Sequence, residues 1–245
     1  MSLENIFTLP SEYNDLRDSV RSLSDNEIAP HAHAVDEDHR YPREAHDALV
    51  KAGLFAAHVP TEFGGDGADA LAACIIIEEV ARVCASSSLI PAVNKLGSLP
   101  LILGGNKEQK ERWLRPLAKG KGFSYCLSES EAGSDASSLK TKAERQGDGW
   151  VINGSKKWIS NAGESEFTQS LHRPIHHLVL KESLHLSLRN LIPVFHLAHP
   201  RRRWASVVHL HVRSTSTMSL SEMIAASVRS VKASRWQWIP STTPV

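Results

Sequence analysis

The sequence predicts an α+β protein: an all-helical domain over residues 1–121, followed by a partial antiparallel β domain over residues 122–167. Three observations predict it. Apolar residues recur at helical spacing up to about Lys121, the pattern switches to short extended segments from Gly122, and the composition breaks after Phe167. The first 167 residues carry 18 basic and 25 acidic side chains (net −7) and all 14 glycines. The last 78 carry 10 and 2 (net +8) and contain no Gly, Asp, Tyr or Cys. Gly and Asp supply turns and helix caps, so residues 168–245 are set apart as a tail expected to be poorly ordered. The net charge of +1 is then the sum of two unlike parts.

Leu16, Val20, Leu23 and Ile28 lie close to helical spacing with charges between them, which predicts a long amphipathic helix within residues 11–37. Pro42 suits the first turn of a second helix, Ala45, Leu49 and Ala52 form its apolar face, and Gly53 sits where a left-handed cap would end it. The Gly- and Asp-rich loop VPTEFGGDGAD leads into LAACIIIEEVARVCA, whose broad apolar face of Leu71, Cys74, Ile75 and Val80 predicts a buried helix. Asn106 with Gln109 resembles a capping box for KEQKERWLRPLAKG, with Trp113, Leu114 and Leu117 inward and Gly120 as the stop.

From residue 122 the period changes. GFSYCLSE reads as a strand, SEAGSDASSL as a polar loop, and TKAERQGDGWVINGSKKWIS as two strands joined at Gly147–Gly149 with a further turn at Asn153–Gly154. The Ser/Gly/Asp loop is the expected ligand contact.

Several classes are excluded or set aside. No run approaches the roughly 18 apolar residues of a spanning helix, and the N-terminal stretch lacks a basic segment followed by an apolar one. A cytoplasmic protein without a membrane partner is expected. Cys74, Cys84 and Cys126 show no C-x-x-C spacing and read as small core residues. His31, His33 and His39 read as solvated, because i, i+2 spacing does not place two ligands on one helix face.

The run Cys126-Leu127-Ser128-Glu129-Ser130-Glu131-Ala132-Gly133-Ser134-Asp135 resembles the signature of acyl-CoA dehydrogenases, and Lys157-Trp158-Ile159-Ser160-Asn161 resembles that family's second flavin segment. KEQKERWL and PTEFGG precede them in the family's order, so the resemblance covers about residues 10–167. It implies FAD as cofactor, with Tyr125, Cys126, Leu127 and Ser128 along the flavin ring, Gly133 and Ser134 near its pyrophosphate, and Trp158, Ile159 and Ser160 beside the ring. Ser134 would also meet the acyl thioester. Small loop residues suit such a site because they let backbone N–H groups approach an anion. Glu129 and Asp135 are assigned to the loop's own structure rather than to acid–base work.

The family resemblance stops after Phe167, where text such as GISAFVVEK, EKKMGI and AMDTxDHTR would be expected. A shifted reading frame restores it. If each codon is regrouped to begin on the last base of its predecessor, Trp236–Val245 can read LAMDTIDHTR, Pro200–Ser206 can yield EKKMGI, and Lys181–Asn190 can yield GISAFVVEK. The sequence therefore predicts one missing nucleotide near the codons for Glu166 to Thr168, with residues 168–245 out of frame. The alternative is a non-enzymatic chain whose basic tail, with Arg201-Arg202-Arg203, binds nucleic acid or an anionic surface.

The resemblance implies α,β-dehydrogenation of an acyl-CoA thioester in fatty-acid or branched-chain catabolism, an electron-transfer flavoprotein as partner, and a homo-oligomer in the intact family. It places the catalytic Glu in a C-terminal helical bundle beyond this text. No catalytic base and no metal site are expected within residues 1–167, and an inactive, pseudogene-like version of the enzyme is the reading taken forward.

Overall fold

The computed structural model describes residues 8–146, 149–174, 184–189, 195–198 and 206–214. Its first half is helical. Helix α1 (Ser11–Leu23) continues through one wider turn (Ser24–Ile28) into α2 (Ala29–Glu37), as the apolar spacing predicts. Helix α3 (Arg43–Lys51) starts directly after Pro42, and the backbone turns left-handed at Gly53 (φ 75°).

Helix α4 (Ala70–Val83) is N-capped by Asp69, whose carboxylate accepts the amide of Ala72 at 2.8 Å. Its inward face differs from the expected one: Ala72, Ala73, Ile75, Ile76, Glu79 and Val80 are buried, whereas Leu71 and Cys74 are exposed. Glu79 takes a core position because Arg21 reaches it from α1 in a bidentate pair at 2.8 and 3.0 Å, and Arg82 adds a bond at 3.1 Å. Bonds from Arg21, then Arg82, outweigh burial and hold its carboxyl below the usual range.

Helix α5 (Ala85–Gly104) is an element that the sequence reading passed over. It contains Pro91 and Pro100, which each remove a helical N–H. Helix α6 (Lys107–Ala118) carries the reciprocal capping box of Asn106 and Gln109, buries Trp113, Leu114 and Leu117, and ends before a left-handed Gly120. His31, His33 and His39 are exposed.

The second half is a seven-stranded sheet of β1 (Phe123–Cys126), β2 (Lys142–Gln146), β3 (Gly149–Ile159), β4 (Phe167–Pro174), β5 (Leu184–Arg189), β6 (Phe195–Ala198) and β7 (Ser206–Ser214). Its order is β1-β4-β2-β3-β7-β6, with β5 on the other side of β4. The hairpin of β2 and β3 is antiparallel, as expected, but β4 runs parallel to both β1 and β2. The unit is therefore mixed rather than purely antiparallel. The turn expected at Asn153–Gly154 does not form, and β3 runs straight through it. Gly154 is there for room: a Cβ would lie 2.2 Å from Thr141 Oγ1.

Strand β4 crosses the expected domain edge at Phe167, and β5, β6 and β7 fall within residues 168–245. Residues 215–245 of that tail, including Trp236–Val245, lie outside the described residues. Among the described residues, no helix is long and apolar enough to cross a membrane.

One core joins the two halves. Val20, Leu49, Phe55, Ile76, Val80, Ile90, Trp113, Leu114 and Leu117 from the helical part pack with Phe123 of β1 and Phe167 of β4. The rings of Trp113 and Phe167 meet edge to face at 5.2 Å, and Phe167 lies 5.2 Å from Phe123. Asn94 of α5 has no solvent exposure. Its Oδ1 accepts the Phe123 amide at 2.9 Å, and its Nδ2 donates to the Phe55 carbonyl at 3.1 Å. Asn94→Ala leaves one buried N–H and one buried C=O unpaired, so chemical denaturation is expected to show a loss of about 2–4 kcal/mol. An unchanged midpoint would mean that water satisfies both groups.

His58 is also mostly buried. Its Nε2 lies 2.7 Å from Ser98 Oγ, which itself donates to the Asn94 carbonyl at 2.6 Å, so the network assigns the imidazole as the neutral Nε2–H donor. Burial first, and then the nearby Lys95 charge, push its pKa down to about 4. A base with a depressed folded-state pKa costs stability where the unfolded chain protonates first. Its contribution is full above about pH 6.5 and is lost progressively down to about pH 4, to a total of roughly 3 kcal/mol. His58→Gln is expected to flatten that part of the stability–pH curve, measured by denaturation at fixed pH steps.

Candidate flavin groove

Three elements converge on one open groove. Strand β1 and the residues after it supply Tyr125, Leu127 and Ser128, the end of β3 supplies Trp158 and Ser160, and α5 supplies Val93 and Leu96. Its volume is about 240 Å³. That is less than the several hundred Å³ that enclose a whole small ligand, so the groove is one wall against which a planar ring can lie.

Strand alternation decides which side chains reach it. Tyr125 and Leu127 face the groove, while Cys126 between them is 1 % exposed and points into the core. Burial pushes the Cys126 thiol up to about 12, which keeps it protonated. Ile159 is likewise buried between Trp158 and Ser160. Neither of these two residues lines the groove.

Trp158 is 71 % exposed, the largest exposed hydrophobic surface among the described residues, and its φ is 62°. A bulky residue in the left-handed region is strained. The strain has a visible source: the pairing of β3 with β7 slips between Lys156 and Ile159, and such a bulge re-aims the side chains around it. The indole is thereby presented to the groove rather than folded under it.

The loop after Ser128 is held by its own carboxylates. Asp135 accepts the Ser137 amide at 3.2 Å and the hydroxyls of Ser137 and Ser138, whose bonds hold its carboxyl low. Glu129 accepts the amides of Lys140 and Thr141 at 2.6 and 3.0 Å. Both therefore shape the loop, as the sequence predicts. Ala132 packs on Leu139 beneath it. Gly133 and Ser134 stand exposed outside the groove lining, and a Cβ on Gly133 would meet nothing within 4 Å.

Of the nine residues marked from the sequence, the structure thus gathers the side chains of Tyr125, Leu127, Ser128, Trp158 and Ser160 into one groove. It leaves Cys126 and Ile159 in the core and Gly133 and Ser134 on the loop rim. Val93 and Leu96 were not anticipated, because they belong to α5.

The N-terminal domain model of acyl-CoA dehydrogenases matches residues 10–121, and the middle-domain model of the same family matches residues 124–184. The chain belongs to the acyl-CoA dehydrogenase family. It is 57 % identical over 164 residues to a probable acyl-CoA dehydrogenase, fadE25, of Mycobacterium leprae, a match that covers 66 % of this chain and 42 % of that protein. The chain thus spans about two fifths of the length of the curated relatives it matches.

Its fold superposes on a glutaryl-CoA dehydrogenase from Mycobacterium smegmatis with a TM-score of 0.76 at 25 % identity, covering 92 % of this chain and 60 % of that one. A glutaryl-CoA dehydrogenase structure from the same organism in complex with FADH2 gives 0.75 at 21 % identity, covering 91 % and 60 %.

Proposed function

We propose that this chain carries the flavin-side wall of an FAD-dependent acyl-CoA dehydrogenase and that, as it stands, it binds without turning over. The observation that carries the reading is the convergence of Tyr125, Leu127, Ser128, Trp158 and Ser160 on one groove from two separate sequence segments. The lining fits a flavin: an exposed indole to cover one face of a ring, apolar side chains around it, and two hydroxyls for a polar edge. FAD, when bound, supplies the hydride acceptor for α,β-dehydrogenation of an acyl-CoA thioester.

The residues of the chain place and shelter the ring. Ser128 and Ser160 would donate to its polar edge, while Val93, Leu96 and Leu127 would exclude water from its apolar side. We assign Ser134, on the exposed loop outside the groove, to the pyrophosphate and the thioester on the family resemblance alone. Removal of the α-proton needs a base, and among the described residues neither Asp nor Glu lines the groove. Glu129 and Asp135 are committed to their loop bonds.

We read residues 168–245 as out of frame from the break in composition after Phe167. An electron-transfer flavoprotein would take the electrons from the intact enzyme, which we place in the cytoplasm as a homo-oligomer.

Titrating FAD into the purified chain is expected to give a bound yellow species that a saturated acyl-CoA fails to bleach under anaerobic conditions. Bleaching would overturn the inactivity, and absence of flavin binding would overturn the groove. Sequencing the DNA across codons 160–175 reads the frame directly, and an uninterrupted frame there would sink the shift. The net +8 of the last 78 residues motivates the second reading, a basic segment for nucleic acid or an anionic surface. Salt-dependent binding to duplex DNA would favour it over the first.

A further inference from the structure

The shape of the groove depends on a residue that does not line it. Lys156 has no solvent exposure, although lysine is among the side chains least often buried. In a regular strand Lys156 and Trp158 would share a face. The bulge and the left-handed turn at Trp158 separate them, so that Trp158 goes out to the groove and Lys156 goes under it.

There the Lys156 ammonium donates to the Leu127 carbonyl at 2.9 Å and to Glu129 Oε1 at 2.8 Å. Those two acceptors flank Ser128. The Ser128 carbonyl in turn accepts the Lys157 amide at 2.8 Å, and the Glu129 amide donates to the Ala132 carbonyl at 2.8 Å. The Leu127 and Ser128 carbonyls are thus both tied to β3, the first through the Lys156 side chain and the second through the Lys157 amide.

A buried ion pair of this kind is a poor source of stability compared with apolar residues of the same volume. Its charges nevertheless persist. Burial pushes the Glu129 carboxyl up, but the bonds from Lys156, Thr141 and Lys140 together hold it at about 2. Burial pulls the ammonium down, and the Glu129 carboxylate opposes that fall.

We propose that Lys156 is the positioning residue of the groove, fixing the Leu127 carbonyl and the Glu129 carboxylate on either side of Ser128 so that Leu127, Ser128 and the Trp158 platform face the ligand together. This rests on the flavin reading of the groove. Lys156 itself touches no ligand and acts through the segment it holds.

Two variants separate positioning from bulk stability. Lys156→Met removes the ammonium at similar length and leaves the buried Glu129 carboxylate without its counter-charge, held only by the Lys140 and Thr141 amides, so it is expected to lower both the thermal midpoint and FAD affinity. The double substitution Glu129→Gln with Lys156→Met removes both charges. It is expected to return the thermal midpoint toward the unsubstituted value while FAD affinity, read by quenching of flavin fluorescence, stays at least tenfold weaker. Recovery of affinity together with stability would overturn the proposal, as would unchanged affinity in Lys156→Met. If the single variant does not fold, the double variant carries the test alone.

If the unsubstituted chain binds no FAD, the flavin reading fails, and Lys156 is then tested without ligand by amide hydrogen exchange. Faster exchange at Glu129 and Lys157 in the double variant supports the clamp, and unchanged protection there overturns it.

Discussion

Trp113→Ala is expected to lower the stability of the chain by about 3–5 kcal/mol, read from the urea midpoint by far-ultraviolet circular dichroism. The side chain is 5 % exposed and sits where α6 meets the sheet. Its ring meets that of Phe167, whose own ring packs on Phe123, so one truncation opens a void against β4 beside that aromatic pair. The cavity cannot close easily, because Gly97 of α5 already lies against Phe123: a Cβ there would be 2.9 Å from that residue. A loss below about 1 kcal/mol would show that the helical part and the sheet are not packed through this residue.

Trp158→Gly should act with opposite signs on stability and on binding. Glycine adopts φ 62° without strain, and the indole it replaces is 71 % exposed, so thermal unfolding is expected to be unchanged or to rise by about 1 kcal/mol. Loss of the aromatic platform is expected to weaken FAD binding by roughly 5- to 150-fold, the equivalent of about 1–3 kcal/mol for stacking on an aromatic face. A fluorescence titration of FAD against both chains measures it. Retained affinity with reduced stability would mean that Trp158 serves the fold and not the groove.

Local rules reached far into the helical half. The capping box at Asn106, the left-handed glycines at 53 and 120, and the inward face of α6 all follow from residues within a few positions of one another. The failures are equally physical. Helix α5 was passed over because Pro91 and Pro100 lie inside it, and its helicity is set by packing against α4 and β1 rather than by propensity. With it went Val93, Leu96 and Asn94, two walls of the groove and the side chain that ties α5 to β1.

Cys74 and Leu71 were read inward because a periodic pattern cannot show that Glu79 has arginine partners reaching it from α1 and α4. Gly154 read as a turn when its purpose is clearance for Thr141. Parallel pairing of β1 with β4 was not legible at all, since it depends on contacts far apart in sequence. The groove itself is legible in part: family-like motifs mark five of its lining residues, and the alternation of side chains along a strand turns Cys126 and Ile159 inward.

That parallel pairing bears on when the groove can exist. The Gly122 amide bonds to the Glu166 side chain across 44 residues, and Phe123 pairs with Phe167, so β1 has no partner on that edge until β4 has been synthesised. On a ribosome the helical half can assemble first, while Tyr125 to Ser128 wait as an unpaired edge. Phe167 is the first residue of β4 and also a member of the core shared with the helices. Its ring is the one that Trp113 and Phe123 pack against. The last aromatic of that core therefore arrives with the strand that completes the edge of β1.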